Sequence, residues 1–273
     1  MLEVTANLFQ SHSVPSPIIL ICKGGGGSRL LSKMLLDLGV FLGSSINDSG
    51  DSTEMVGAIY RGVLRELNPS FLNERGSIAM DISSSAVKMW RAGGSCEYWG
   101  FKLPESIYLI PYLHQAFPHA RYIELIRDPL STCLRRTHMT ARLDNEIGRV
   151  TLPSAYVTLG RPIPHIFSDG EGIHMALTTI HQLSLARKSL ASIASDRIYT
   201  VRFEELIHNP ELQLTYLARW LDRPIASNLI CTEIDRQRAT TDFSFYSKEQ
   251  TTAINILLRD TRLAHGYIDD RQS

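Results

Sequence analysis

The chain has 273 residues, of which 44% are hydrophobic and 21% charged. That is the make-up of a soluble globular protein with enough chain to build a full core. Lysine plus arginine (28) balance aspartate plus glutamate (28), which argues against a general electrostatic grip on nucleic acid.

Cys22, Cys96, Cys133 and Cys231 are widely spaced and form no CxxC pair. They read as reduced, partly buried thiols, so neither a disulfide framework nor a metal site is expected. No apolar run reaches transmembrane length, and the N-terminus has no basic stretch leading into an apolar core. A cytoplasmic, soluble protein is the expectation.

Residues 1–16 are expected to be a flexible N-terminus. "PIILICKG" is a continuous apolar run ending in glycine, the pattern of a strand buried on both faces of a parallel sheet. "SRLLSKMLLDLGV" follows at helical spacing, with Gly39 as its stop. "TEMVGAIYRGVLREL" reads as a second helix, closed by "NPS". A second strand ends near Lys102 in "GSCEYWGFKLP", and "ESIYLIPYLHQAF" reads as helical. "PHARYIELIRDP" is a third strand, stopped at Asp128-Pro129 because proline cannot continue a central ladder. "STCLRRTHMTARL" is predicted as a helix. Residues 143–170, rich in Gly, Pro and polar residues, are expected to form a long loop or lid. "GIHMALTTIHQLSLARKSLASI" is a long amphipathic helix. "RIYTVRFEELIHNP" is a fourth strand followed by a turn, and "ELQLTYLARWLDRP" is a helix. Strands alternating with helices predict an α/β fold, a single domain with a central, mainly parallel sheet flanked by helices.

Gly24, Gly25, Gly26 and Gly27 sit between the first strand and its helix. Without Cβ atoms, backbone N–H groups can crowd around phosphate oxygens, and the helix N-terminus adds its partial positive charge. Ser28 would start the helix and offer its hydroxyl. A flexible turn would not need four glycines, each of which costs about 0.5–1 kcal/mol relative to Ala in regular structure. An ATP-type loop would read GxxxxGK(S/T). Here Lys23 precedes the glycines and Arg29 follows Ser28, so an ordinary NTPase or kinase is disfavoured. A second anion site is suggested by "YIELIRDPLSTCLRR". Its Arg127 stands at the carboxyl end of a buried strand, where α/β ligands bind, and arginine makes bidentate bonds to phosphate. The plainer reading of Arg127, taken alone, is an ion pair with Asp128.

With these motifs in order, the chain resembles the sulfotransferases that use 3′-phosphoadenylyl sulfate (PAPS). "GGGGSRLLSKML" is similar to their 5′-phosphosulfate loop, (K/R)SGT(S/T)LL. "FPHARYIELIRDPLSTCLRR" resembles their 3′-phosphate motif. "WGFKLPES", "RIYTVRFEELIHNPELQLTYLARWLDRP" and "LAHGY" match further family segments. The resemblance implies a P-loop-type α/β domain and a donor site at Gly24 to Gly27, Ser28 and Arg29, with Arg127 on the 3′-phosphate. It implies PAPS as donor, no metal, and a hydroxyl acceptor: a carbohydrate, a lipid-linked sugar, a small alcohol or a peptide. Gly25 stands where the family usually has Lys or Arg. Arg135 stands where a serine usually follows Arg127, with Ser131 and Thr132 as nearby hydroxyls. The catalytic histidine that many cytosolic members carry after the lysine equivalent to Lys102 is absent from "FKLPE".

Sulfuryl transfer needs a base for the acceptor hydroxyl, stabilisation of the moving group, and a cation at the leaving phosphate. Lys23, Arg29 and Lys102 are the candidate cations. Asp48 is the first candidate base, in the polar loop after the glycine-loop helix; Asp51 and Glu105 follow. Loops at 44–56, 90–100 and 143–170 are the expected acceptor walls, with Trp90 and Trp99 either lining them or in the core. His114, His119 and His138 are expected on helix or loop surfaces. Two rival readings share the fold: a nucleotide-binding protein that has lost catalysis, and a kinase with an atypical loop.

Overall fold

The computed structural model describes residues 14–134, 138–224 and 245–268. Four strands form one parallel sheet in the order β2-β1-β3-β4. In chain order the elements are β1 (Ile18–Cys22), α1 (Ser28–Asp37), α2 (Val56–Leu67), α3 (Ile78–Ala92) and β2 (Gly100–Lys102), then α4 (Ile110–Ala116) and β3 (Arg121–Ile126). After β3 come α5 (Pro129–Cys133), α6 (Gly148–Thr158), α7 (Glu171–Leu190) and β4 (Ile198–Arg202), followed by α8 (Phe203–His208), α9 (Pro210–Trp220) and α10 (Lys248–Ala264).

β1 is buried along its whole length, as its unbroken apolar run requires. Its alternate residues face two cores. Ile19 and Ile21 pack with Trp99, Phe101 and Tyr122 under α2, α3 and α4. Ile18, Leu20 and Cys22 pack with Ile123 and Leu125 under α1, α8 and α9. The chain leaves β1 toward β2 on one side and reaches β3 on the other. The carboxyl end of β1 is therefore the point where strand order reverses, the usual place for a ligand crevice in an open α/β sheet.

Several segments differ from the sequence reading. Residues 143–170 are not one long loop. They contain α6, whose buried Thr151, Leu152, Ala155 and Tyr156 recur at helical spacing and pack on α7. The Gly and Pro content that suggests a loop has other causes. A Cβ at Gly148 would overlap the carbonyls of Met139 and Arg142, so glycine there is a close-packing residue, and Pro153 is accommodated inside the helix. The expected helix over residues 105–117 is divided into a 3₁₀ turn, Pro104–Tyr108, and α4, because Pro111 belongs in a first helical turn, where its missing N–H costs nothing. The expected helix over residues 131–143 is short: α5 ends at Cys133, and a 3₁₀ turn, Met139–Ala141, follows. The turn expected after β4 is helix α8. The sequence reading had no counterpart for α3 or α10. The candidate residue Arg135, Cys231 and most of the expected N-terminal segment lie outside the described residues.

Candidate active site

The glycine loop joins β1 to α1. Gly25 and Gly27 have φ of 86° and 93°, the left-handed region that side-chain-bearing residues avoid. Gly27 is held by sterics as well, since a Cβ there would overlap the Phe203 ring. The Gly26 N–H donates to the Lys23 carbonyl at 3.0 Å and closes the turn. α1 then opens directly from the loop at the buried Ser28, so its free N–H groups face the crevice end of the sheet. Gly25 and Arg29 are exposed.

Three cations are buried at neighbouring strand ends: Lys23 just past β1, Lys102 at the end of β2, and Arg127 just past β3. Their electrostatic situations differ. Lys102 Nζ is 2.5 Å from Asp51 Oδ1 and donates to the Ser49 carbonyl at 2.9 Å, so its charge is already met. That ion pair ties the 47–51 loop across the strand ends. Asn47 Oδ1 shapes the loop by accepting from the Ser49 and Asp51 N–H groups at 2.9 and 3.0 Å. Lys23 Nζ reaches Thr140 Oγ1 at 3.5 Å and forms no ion pair among the described residues. Burial lowers its pKa to about 8, despite the opposing pull of nearby Cys133 and Glu105. Arg127 stacks its guanidinium 4.4 Å above the Phe203 ring. Asp128 bonds with Arg262 at 2.9 Å, accepts from the Ser131 hydroxyl at 3.1 Å, and caps α5 through the Leu130 N–H.

Asp51, the partner of Lys102, lines a cavity of about 780 Å³. Val56, Tyr60, Leu103 and Met139 give it an apolar wall; Asp51, Glu105 and His138 bring polar groups to it. Glu105 is 2% exposed, and its Oε1 accepts no hydrogen bond among the described residues. Burial raises its pKa to about 7; Asp51 pushes the same way, while its own backbone N–H, Lys23 and Lys102 oppose. His138 Nε2 is 4.0 Å from Glu105 Oε1. The same ring covers Gly24, where any Cβ would overlap it.

The structure thus brings Lys23, Glu105, Asp51, Lys102 and His138 together beside the glycine loop. Asp48 is exposed and is not part of the cavity wall. Its neighbours Asn47, itself exposed, and Ser49 line the cavity, and the Asn47 side chain forms the turn. Of the expected acceptor walls, 44–56 contributes, whereas 90–100 and 143–170 do not. Trp90 and Trp99 belong to the core. Sequence reasoning placed His138 on a surface; no local motif marks it, since its partners are 33 and 114 residues away at Glu105 and Gly24.

The sequence pattern of the sulfotransferase family matches residues 54–227, well over half of the chain. The chain belongs to that family. As a member it is an enzyme that transfers a sulfuryl group. The matched span begins after the glycine loop and includes Lys102, Glu105, Arg127 and His138. No curated protein sequence matches the sulfotransferase. Among solved structures, the sulfotransferase domain of the Synechococcus PCC 7002 olefin synthase is similar over 95% of this chain and 97% of that one, with a TM-score of 0.52 and 16% identity. Sulfotransferase STF1 from Mycobacterium tuberculosis H37Rv is similar over 95% of this chain and 81% of that one, with a TM-score of 0.52 and 13% identity. At those identities the likeness speaks for the P-loop-like α/β fold alone.

Proposed function

We propose that this sulfotransferase moves the sulfuryl group of PAPS to a hydroxyl of a small molecule held in the cavity. The observation that carries the reading is Lys23, a buried lysine without an ion pair among the described residues, set between a glycine loop and Glu105 on the cavity wall. A buried cation of this kind is stabilised by an incoming anion. The 5′-phosphosulfate fits the N–H groups of Gly25, Gly27, Ser28 and Arg29, with Lys23 beside them. The 3′-phosphate fits Arg127.

In the reaction, the acceptor O–H gives its proton to the Glu105 carboxylate as its oxygen bonds to sulfur. The bond from sulfur to the 5′-phosphate oxygen breaks, and adenosine 3′,5′-bisphosphate leaves. Lys23 balances the charge that develops on the leaving phosphate. Burial suits Glu105 to the task of base, because a pKa near 7 keeps it both ionised and basic at neutral pH. Lys102 and Asp51, being matched to each other, brace the 47–51 loop. The volume of the cavity suits a small-molecule acceptor.

The test is transfer of labelled sulfate from PAPS to a panel of small alcohols and phenols, run beside ATP hydrolysis. Transfer from PAPS without ATP turnover supports the reading. ATP turnover would favour an atypical kinase. Tight binding of adenosine bisphosphate with no transfer to any acceptor would favour a nucleotide-binding protein without catalysis.

A further inference from the structure

His138 stands where a second catalytic group would be wanted, and its hydrogen bonds limit what it can do. Its side chain caps the turn Met139–Ala141: the backbone N–H of Thr140 points to His138 Nδ1 at 3.4 Å. A backbone N–H can only donate, so Nδ1 must present its lone pair. That choice fixes the remaining chain. Thr140 Oγ1, 3.1 Å from the same Nδ1, donates its proton to the ring. Its own lone pairs receive Lys23 Nζ at 3.5 Å and Gln182 Nε2 at 3.2 Å. Gln182 spends its other N–H on the Tyr108 hydroxyl, 2.5 Å away. Gln182, Thr140 and Tyr108 are all buried, so these directions are not scrambled by solvent.

We propose that this buried relay, Tyr108–Gln182–Thr140, locks the His138 proton on Nε2, making His138 a hydrogen-bond donor to the moving sulfuryl group and not the base. The inference rests on the proposed PAPS chemistry and on Glu105 as base. Nε2 is the ring atom turned toward both Glu105 and the glycine loop, 4.0 Å from the one and packed on Gly24 of the other. An N–H fixed there meets the sulfuryl oxygens at the junction of donor and acceptor. It cannot take the acceptor proton, because the only nitrogen with a lone pair faces Thr140. Thr140 and Gln182 are then positioning residues, acting through the ring.

The ¹⁵N-labelled full chain gives a direct readout by NMR, with the His138 signals identified by their loss in His138→Gln. The expected result is an unprotonated Nδ1 and a protonated Nε2, with this distinction weakened in Thr140→Val, which keeps the backbone donor but loses the hydroxyl, and restored in full in Thr140→Ser. A protonated Nδ1 in the wild type would overturn the proposal. Kinetics supply the second arm. Glutamine keeps an N–H near the position of Nε2, so His138→Gln should retain kcat within about tenfold, whereas His138→Ala should lose about 10²–10³, the usual cost of one transition-state donor. The acidic limb of the pH–rate profile should stay in place in His138→Gln. Equal loss in the two variants, or disappearance of that limb in His138→Gln, would make His138 the base and refute the donor role. Failure of the wild type to transfer from PAPS would overturn the catalytic role together with the function it rests on, while the tautomer would still be decided by NMR.

Discussion

Replacing Lys23 with methionine should make the empty enzyme more stable and the donor site useless. The lysine is 4% exposed, and burial lowers its pKa from 10.5 to about 8. Between pH 8 and 10.5 the unfolded chain holds a proton at Lys23 that the folded protein has released. Stability therefore rises with pH across that window and is flat below it. The full gap corresponds to about 3 kcal/mol of cost for carrying the charge at pH 7. Methionine keeps much of the volume and removes the charge, so K23M should gain about 1–3 kcal/mol in urea unfolding at pH 7 and lose the rise above pH 8. Ligand binding should move the opposite way. An anion in the loop needs the charged lysine, so adenosine 3′,5′-bisphosphate should bind about tenfold more weakly at pH 9 than at pH 7, with proton uptake. Calorimetry in two buffers of different ionisation enthalpy measures both. In K23M the affinity should be low at both pH values and the proton uptake gone. A variant less stable than wild type at pH 7, or one that keeps the tenfold pH dependence, would refute the role assigned to this side chain.

Glu105→Gln should lower kcat by about 10²–10⁴ and abolish the acidic limb near pH 7, with bisphosphate affinity within about threefold of wild type; Asp48→Asn should leave both the limb and the turnover in place. Because the folded-state pKa of Glu105 is raised, the wild type should lose stability as pH climbs from 4.5 through about 7, and Glu105→Gln should flatten that decline in thermal melts. Arg127→Ala should weaken adenosine 3′,5′-bisphosphate by about tenfold or more, and adenosine 5′-phosphate much less, by calorimetry; equal losses would remove Arg127 from the 3′-phosphate. Gly27→Ala should destabilise more than Gly25→Ala in urea unfolding, since both have positive φ but only Gly27 would also press a Cβ into the Phe203 ring.

The sheet was legible because its signals are local. A short unbroken apolar run ending in glycine reads as an inner parallel strand, and Asp128-Pro129 stops β3 within the chain's own alphabet. The helix α6 was hidden because its glycine and proline looked like loop residues. Gly148 is needed only because the carbonyls of Met139 and Arg142 approach it, and that contact exists only after folding.

The site was legible in its parts but not in their ranking. Lys23, Lys102, Asp51 and Glu105 could each be picked out by type and by position near a strand end. Which of them is available for chemistry depends on who neutralises whom, and sequence spacing does not carry that. Lys102 and Asp51 lie 51 residues apart and cancel each other at 2.5 Å. Glu105, three residues past Lys102, is carried by a buried 3₁₀ turn away from that pairing and keeps one oxygen without a hydrogen bond among the described residues. Asp48 is the first candidate in the sequence because it lies in the polar loop after the glycine-loop helix, two residues past the apolar Ile46. Ile46 does pack against the core, but the Asn47 amide holds the Ser49 and Asp51 N–H groups and leaves Asp48 exposed. A buried carboxylate with an unmet lone pair, as at Glu105, is costly to maintain unless it has a proton to take. That cost, visible only in the folded chain, is the reason to move the base from the loop to the turn.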